Sequence, residues 1–188
     1  GYHLGSVPER MARFRESVHV IAHLLHSEEP LTFEGKYVSV REAVLLPRPR
    51  HRVPIVIGGS GRQVTLPLVA KYADEWNSGG RSPEDFREMS GFLDQLLDKA
   101  GRARESVRRS MMIFMRFGRD QAELDARLSA QPVPDFLQRS TYAATPEMLR
   151  ERLSGLEAAG VQRVILNWRD DYDDVAGIAA LGKAVICA

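Results

Sequence analysis

Cysteine is almost missing from this sequence, whose 188 residues include one, Cys187, close to the C-terminal end. One thiol per chain excludes an internal disulfide framework and a zinc site made of cysteines, so we expect a reducing, cytoplasmic compartment. Long hydrophobic runs are missing as well, since stretches such as residues 44–46 and 164–166 are far too short to cross a bilayer. The sequence therefore predicts no contact with the membrane interior.

An excess of charge of either sign is also absent. The 26 basic and 25 acidic residues leave a formal net charge of +1, so the chain has no general attraction to nucleic acid or to an anionic membrane. The basic run at residues 47–52 (PRPRHR) has no interleaved aromatic residues, which favours a connector over a nucleic-acid patch. Hydrophobic residues make up 44% of the chain, which is enough for a sizeable core.

The first residues, GYHLGSVPERM, contain neither the apolar core of a signal peptide nor an initiator methionine. We therefore expect a segment from within a longer protein. The motifs G-x-S-x-G, H-E-x-x-H and Walker A are absent too, so we assign no catalytic residue. An enzyme of this kind would take its chemistry from a bound cofactor.

The N-terminal region predicts a helix, a hairpin and a connector. Ser6 and Glu9 have the spacing of a capping box, and a helix is expected from there to about His26. Residues 31–40 predict a small hairpin, and the prolines of residues 47–54 an extended connector. Apolar residues at spacings of three and four place one face of the helix toward the core: Met11, Phe14, Val18, Ile21 and Leu25.

From residue 55 onward, short apolar runs alternate with helical patterns, which predicts parallel strands with helical crossovers. The expected strands cover about residues 55–57, 73–77, 110–117 and 163–168, with helices between them and a last helix from about Val175. The fold class predicted is α/β, of the (β/α)8 TIM-barrel type, with about four βα units forming the C-terminal half. We expect one partial barrel domain over residues 1–188: residues 1–28 a helix of a preceding unit, 29–54 the hairpin and connector, and 55–188 the four units.

A glycine-rich loop follows the first of these strands. Glycines let the backbone approach a ligand closely, and the N-terminus of a following helix attracts a phosphate. A tight turn without a ligand is the alternative, and the loop is a poor dinucleotide fingerprint because Val64 stands where a glycine is needed. We predict a cofactor-binding loop made of Gly58, Gly59, Ser60, Gly61 and Arg62.

The second predicted cofactor-binding stretch is Trp76, Asn77 and Ser78, at the end of the second strand. Trp76 could stack on a ring and the two polar side chains could donate to a phosphate or ribityl chain. The alternative is that Trp76 belongs to the core and that Asp74 is a turn residue. The sequence leaves both interpretations open.

Polar residues also end the third and fourth strands. Arg116 and the pair Asn167-Trp168 stand where barrel strands reach an active site, although Arg116 could equally pair with an acidic residue. The spacing of His19, His23 and His26 could hold a metal, but no further ligand accompanies them, so a solvated helix side is favoured and no metal is predicted. The acidic residues 170–174 lack the glycine and glutamate of an EF-hand and are interpreted as a capped, solvated loop.

Four segments together resemble one family. They are residues 9–25 (ERMARFRESVHVIAHLL), 31–49 (LTFEGKYVSVREAVLLPRP), 53–77 (VPIVIGGSGRQVTLPLVAKYADEWN) and 145–168 (TPEMLRERLSGLEAAGVQRVILNW). In this order they are similar to the luciferase-like monooxygenases, and especially to the branch that uses the deazaflavin coenzyme F-420 (F420). One departure is Ala144, where the family often has glycine.

The resemblance implies a TIM barrel that binds F420 or flavin mononucleotide (FMN) at the C-terminal ends of its strands. It implies hydride transfer to or from a small organic substrate, or oxygen activation when the cofactor is a flavin. By matching position, residues 57–61 (IGGSG) would offer backbone N–H groups to the cofactor phosphate, with Trp76, Asn77 and Ser78 beside it. The alternative function is a non-catalytic half barrel that binds a phosphate-containing ligand or assembles with a partner.

The family's first four strands have no counterpart in this chain. Four βα units would leave open edges near residues 55 and 165, and exposed edges pair readily with other strands. We therefore expect a homo-oligomer, most simply a dimer, and weak or no activity from the chain alone.

Overall fold

The computed structural model describes residue 1 and residues 4–170 and 173–186. Cys187 and part of the predicted acidic loop lie outside the described residues. The chain divides into two compact units, one made of Gly1–Trp76 and Leu93–Val107 and the other of Asn77–Phe92 and Arg108–Ala188. None of the helices in the described ranges combines the length and the apolar character needed to cross a membrane.

The first unit opens with helix α1, Val7–His26. Its capping box is present as predicted, with the Ser6 N–H donating to the Glu9 carboxylate at 2.7 Å and the Glu9 N–H donating to Ser6 Oγ. The buried positions differ from the predicted face, because Ile21 is 50% exposed while Val20 and Ala22 are buried. Helix α1 packs against both the following hairpin and helix α2, which spreads burial around the helix.

The predicted hairpin is formed by β1, Leu31–Glu34, and β2, Ser39–Ala43, which pair antiparallel. Its turn is held by a helix residue: the carboxylate of Glu16 accepts hydrogen bonds from three consecutive backbone N–H groups, those of residues 36–38, at 3.1, 2.7 and 2.9 Å. The N–H of Tyr37 above all, with those of its neighbours, lowers the pKa of Glu16 below its ordinary value.

The remainder of the first unit carries the glycine-rich loop. Strand β3 is Val56–Gly58, helix α2 is Thr65–Tyr72, and strand β4 is Glu75–Asn77, of which the first two residues belong to this unit. Helix α2 begins only at Thr65, because residues 62–64 form a turn. Backbone N–H groups of residues 74 and 75 donate to the carbonyl of Ile55, which ties β4 to the residue before β3.

In the second unit, β5 is the strand on which the sheet is built. Helix α3, Pro83–Lys99, is shared by the two units; the next elements are β5 (Arg108–Phe117), α4 (Gln121–Ala130), β6 (Thr141–Ala144), α5 (Pro146–Ala158), β7 (Arg163–Trp168) and α6 (Val175–Ile186). Strand β5 pairs parallel with β7 along its first part and with β6 along its last four residues. The core between strands and helices contains Met115, Phe117, Leu149 and Leu181.

All four predicted strands are present, as β3, β4, β5 and β7, with helices following them. Strand β6 was not predicted: its four residues, TYAA, are too short to give a β pattern of their own, and pairing with the end of β5 creates the strand. The assignment of the whole chain to one partial barrel domain stays a prediction.

Candidate functional site

The glycine-rich loop begins at the C-terminal end of β3 and leads into α2. Gly59 has a φ of +105°, a conformation that L side chains rarely adopt, so this position requires glycine. Gly58, Gly59, Gly61 and Arg62 are exposed. The loop therefore offers open backbone to a ligand on the side where strands of parallel folds bind their ligands.

The side chain of Trp76 fixes the position of this loop. Its ring is fully buried, and its indole N–H donates a 2.7 Å hydrogen bond to the carbonyl oxygen of Gly59. The buried ring has no exposed face for stacking on a cofactor, so the structure favours the core interpretation of Trp76. Its contact with the loop is a positioning role that the sequence did not reveal.

The other end of the loop folds onto the first turn of α2. The N–H of Leu66 donates to the carbonyl of Gly61 at 3.0 Å, and a Cβ added at Gly61 would lie 3.1 Å from Thr65 Oγ1. The exposed guanidinium of Arg62 stands in the turn before the helix. Exposed glycine backbone, the formal positive charge of Arg62 and the start of α2 follow one another along this loop, and a phosphate ligand requires features of this kind.

Asn77 and Ser78 belong to the second unit and are tied to β5. The N–H of Ser78 donates to the carbonyl of Ser110 at 2.9 Å, and its hydroxyl donates to the carbonyl of Gly79 at 2.9 Å. Asn77 Nδ2 donates to Ser110 Oγ at 3.1 Å. Ser78 is buried and bonded to protein groups, and the half-buried Asn77 also accepts a hydrogen bond from the N–H of Gly79 at 3.4 Å.

Asp74, the residue before β4, anchors the proline-rich connector. Its carboxylate accepts from Arg52 Nη1 at 2.6 Å and from the N–H of Ile55 at 2.8 Å. Burial raises the pKa of Asp74, but the N–H of Ile55 and the guanidinium of Arg52 lower it by more, so the net shift is downward. The turn interpretation of Asp74 is the one that these contacts favour.

Arg116, predicted as a candidate site residue, is 8% exposed and engaged with protein groups. It forms a buried ion pair with Asp170, Nη1 to Oδ1 at 2.8 Å, and donates to the carbonyls of Arg169 and Gln131. The second oxygen of Asp170 accepts from the N–H of Phe117 at 3.1 Å. The pair joins the C-terminal ends of β5 and β7, so the ion-pair alternative for Arg116 is the arrangement found.

Sequence reasoning missed Asp170 and Gln131 as the partners of Arg116. A signal was available for Asp170: it follows β7 by two residues, Arg116 lies near the end of β5, and parallel neighbours bring these ends together. Of the other candidates, Asn167 and Trp168 are half-buried; Trp168 packs against the core, with the guanidinium of Arg127 5.8 Å from its ring centre.

The three histidines of α1 are more constrained than a solvated helix side would require. His19 and His23 are half-buried, and each of the three rings has one nitrogen bonded within the first unit, to the Tyr72 hydroxyl or to the carbonyl of Glu29 or Val53. In the part of the chain that the structure describes, no group of three or more His, Cys, Asp or Glu side chains is arranged to hold a metal ion.

Residues 2–165 match the model of one protein family, the luciferase-like monooxygenases. Among curated proteins, the chain is 39% identical over 102 residues to an F420-dependent glucose-6-phosphate dehydrogenase of Microbacterium testaceum, covering 53% of this chain and 30% of that protein. It is 27% identical over 192 residues to an F420-dependent hydroxymycolic acid dehydrogenase of Mycobacterium tuberculosis, covering 98% of this chain and 48% of that protein.

Two solved structures illustrate the likeness of fold. An F420-dependent secondary alcohol dehydrogenase in complex with an F420-acetone adduct gives a TM-score of 0.81 at 21% identity, covering 98% of this chain and 63% of that chain. EDTA monooxygenase from Chelativorans sp. BNC1 gives 0.77 at 15% identity, covering 99% and 61%. These likenesses confirm the predicted α/β fold of the TIM-barrel type. The chain spans only about a third of the length of the first curated relatives that it matches, 30% to 37%.

Proposed function

Because the chain belongs to the luciferase-like monooxygenase family, we propose that it is the cofactor-phosphate-binding part of an F420-dependent oxidoreductase. The reaction proposed is hydride transfer between F420 and a small organic substrate. The curated relatives named as F420-dependent dehydrogenases support this choice of cofactor and of reaction.

The observation that carries the proposal is the glycine-rich loop, in which Gly59 takes a φ of +105° and neighbouring backbone is exposed before α2. This arrangement suits the phosphate that F420 carries, because a helix N-terminus and exposed backbone attract an anion. When bound, the deazaflavin ring supplies the hydride chemistry.

In this proposal, the residues of the chain bind the cofactor and orient it. Gly59 and Gly61 leave the backbone open to a phosphate, and Arg62 adds a positive charge beside it. Trp76 fixes the loop through the carbonyl of Gly59. A phosphate held in one place orients the attached ring relative to a substrate, which lowers the entropic part of the barrier.

FMN is the second cofactor that the fold can accommodate. The solved structure of a riboflavin lyase with modified FMN gives a TM-score of 0.63 with this chain, and several other neighbours are named as monooxygenases. FMN also carries a terminal phosphate, so the same loop would bind it, and the reaction would then include oxygen activation. A non-catalytic half barrel that only binds a phosphate-containing ligand is less well supported, because the relatives are named as enzymes.

Titrating the chain with F420 and, separately, with FMN while following cofactor fluorescence tests the proposal. We expect saturable binding, with F420 the tighter ligand and weak or no turnover from this chain alone. Gly59→Ala should weaken binding at least about tenfold, since the side chain strains the loop. Gly91→Ala is the matched control, because Gly91 lies exposed in α3 with open space around its Cβ. Equal affinity in wild type and Gly59→Ala would exclude the loop as the phosphate site.

We also propose that the chain forms a homo-oligomer, most simply a dimer, in a cytoplasmic location. Within the second unit, β7 pairs with β5 alone among the described strands, and its apolar residues Val164, Ile165 and Leu166 are only half-buried. An open strand edge of this kind is stabilised by pairing with another copy. Sedimentation at micromolar concentration should show a dimer, and a stable monomer would contradict the proposal.

A further inference from the structure

The first unit contains a cavity of about 540 Å³. None of its lining residues belongs to the glycine-rich loop. The cavity is formed by the C-terminal half of α1, the C-terminal end of α2, the connector and the loop after α3. Its size falls within the range of small-molecule sites. The lining residues are His19, Ala22, His23, His26, Ser27, Arg52, Lys71, Tyr72 and Arg102, and none of these nine is acidic.

Arg102 brings a positive charge to the cavity, and its hydrogen bonds within the described residues go to neutral backbone oxygen atoms. Its guanidinium donates to three backbone carbonyls at the end of α2, those of Val69, Ala70 and Ala73, at 3.5, 3.0 and 2.9 Å. These bonds fix the guanidinium in place while leaving its formal charge. Lys71 adds a second charge, with its ammonium 5.0 Å from the centre of the Tyr72 ring.

The histidines are oriented in the same manner, by neutral oxygen atoms. His23 Nε2 and His26 Nε2 each lie 2.8 Å from a backbone carbonyl, of Glu29 and Val53, so in each ring this nitrogen carries the hydrogen. The other nitrogen, Nδ1, is the acceptor of the neutral ring. His19 Nδ1 lies 3.1 Å from the hydroxyl oxygen of Tyr72.

The negative charge near the cavity is smaller than the positive charge. Asp74 neutralises Arg52 through their 2.6 Å ion pair. The two helix C-termini each contribute about half an elementary negative charge, roughly one in total. Lys71 and Arg102 contribute two positive charges. Complementing the helix ends therefore accounts for only part of this basic cluster.

We propose that this cavity binds a small, multiply charged anion of the polyphosphate class. Lys71 and Arg102 provide the positive charge, and the rings of His23 and His26 line the same surface. A multivalent anion gains most from this arrangement, because several fixed donors meet it on one concave surface.

Calorimetric titration of the full chain with sodium tripolyphosphate at low ionic strength tests the proposal. We expect one saturable site. The double variant His23→Gln and Lys71→Gln should bind at least about tenfold more weakly. The matched control, Lys36→Gln with Lys99→Gln, removes basic residues that do not line the cavity and should stay within about twofold of wild type.

Absence of saturable binding would overturn the proposal, as would equal weakening in the double variant and the control. Loss of tripolyphosphate binding in Gly59→Ala would also overturn it, because the anion would then occupy the glycine-rich loop. A fold-independent measurement uses the wild-type chain: the imidazole NMR signals of His23 and His26 should shift with the same saturation curve. Unmoved imidazole signals during saturable binding would place the anion elsewhere.

Discussion

The indole nitrogen of Trp76 lies 2.7 Å from the carbonyl oxygen of Gly59, so a fully buried side chain sets the position of an exposed loop. The φ of +105° at Gly59 is part of this arrangement. Loop geometry and core packing are thus coupled at the place where we propose that the cofactor phosphate binds. We therefore expect substitutions of the buried residue 76 to change the affinity for the ligand.

Replacing Trp76 by phenylalanine keeps a buried aromatic ring and removes the hydrogen bond to Gly59. We expect the free energy of unfolding to fall by about 1 kcal/mol for the lost bond, with a further cost from the smaller ring. Cofactor affinity should fall as well, because the loop is no longer fixed. Urea denaturation and fluorescence titration measure the two effects. Phe86→Leu, at another fully buried aromatic residue, should lower stability and leave affinity unchanged; equal loss of affinity in both variants would contradict a positioning role.

Asp170→Asn leaves the buried guanidinium of Arg116 without its anionic partner. Breaking a buried pair in this way typically costs about 3–5 kcal/mol, because an uncompensated charge remains inside the protein. The side chains of Arg116 and Asp170 are 9% and 3% exposed, so water compensates little. Chemical denaturation should show a large loss of stability.

A matched control is Asp98→Asn, at an exposed ion pair with Arg104, where the change in stability should be small. Adding Arg116→Met to Asp170→Asn should recover part of the loss, since the unpaired charge is then removed. A double variant less stable than Asp170→Asn alone would show that the hydrogen bonds of Arg116 to backbone carbonyls matter more than its charge.

The elements of this fold were largely predictable from local sequence, since caps, periodicity and prolines act within a few residues. The helix from Ser6 to His26 and the strand at residues 163–168 follow from such signals. Strand β6 was not predictable, because its four residues become a strand only by pairing with β5. Ile21 fits the apolar period of α1 and is still half exposed, because burial depends on which elements pack around the helix.

The candidate site was predictable in its residue types more than in its contacts. Glycines directly after a strand indicate a special loop, and Gly59 has the positive φ that other residues rarely adopt. The partner of Trp76 is a backbone carbonyl 17 residues away, and the partner of Arg116 is a carboxylate 54 residues away. Such contacts depend on three-dimensional arrangement, for which a single sequence holds only the indirect signal of parallel strand ends.

The hairpin turn should lose protection when Glu16 is replaced by alanine. Its carboxylate accepts from the N–H groups of residues 36–38, and a Cβ added at Gly35 would lie within 2.5 Å of Glu16 Oε2. We expect hydrogen exchange of these three amides to become faster, with little change in helix α3. Glu28→Ala, an exposed carboxylate after α1, serves as the control. Unchanged exchange at residues 36–38 would show that the turn is stable without the carboxylate of Glu16.

Glu123 gives a pH dependence of stability whose direction follows from its contacts. Hydrogen bonds from Arg119, and then from Arg127, lower the pKa of Glu123 from 4.5 to about 2. A carboxyl group whose pKa is lower in the folded protein stabilises the fold above the unfolded value, and this contribution is lost as the pH falls toward the folded value. The stability difference between wild type and Glu123→Gln should therefore be largest above about pH 5 and shrink between 4.5 and about 2. Denaturation curves over this range measure it, with Glu84→Gln, whose carboxylate is 77% exposed, as the control. A difference that stays constant down to the lowest pH would mean that Glu123 contributes through packing and not through its charge.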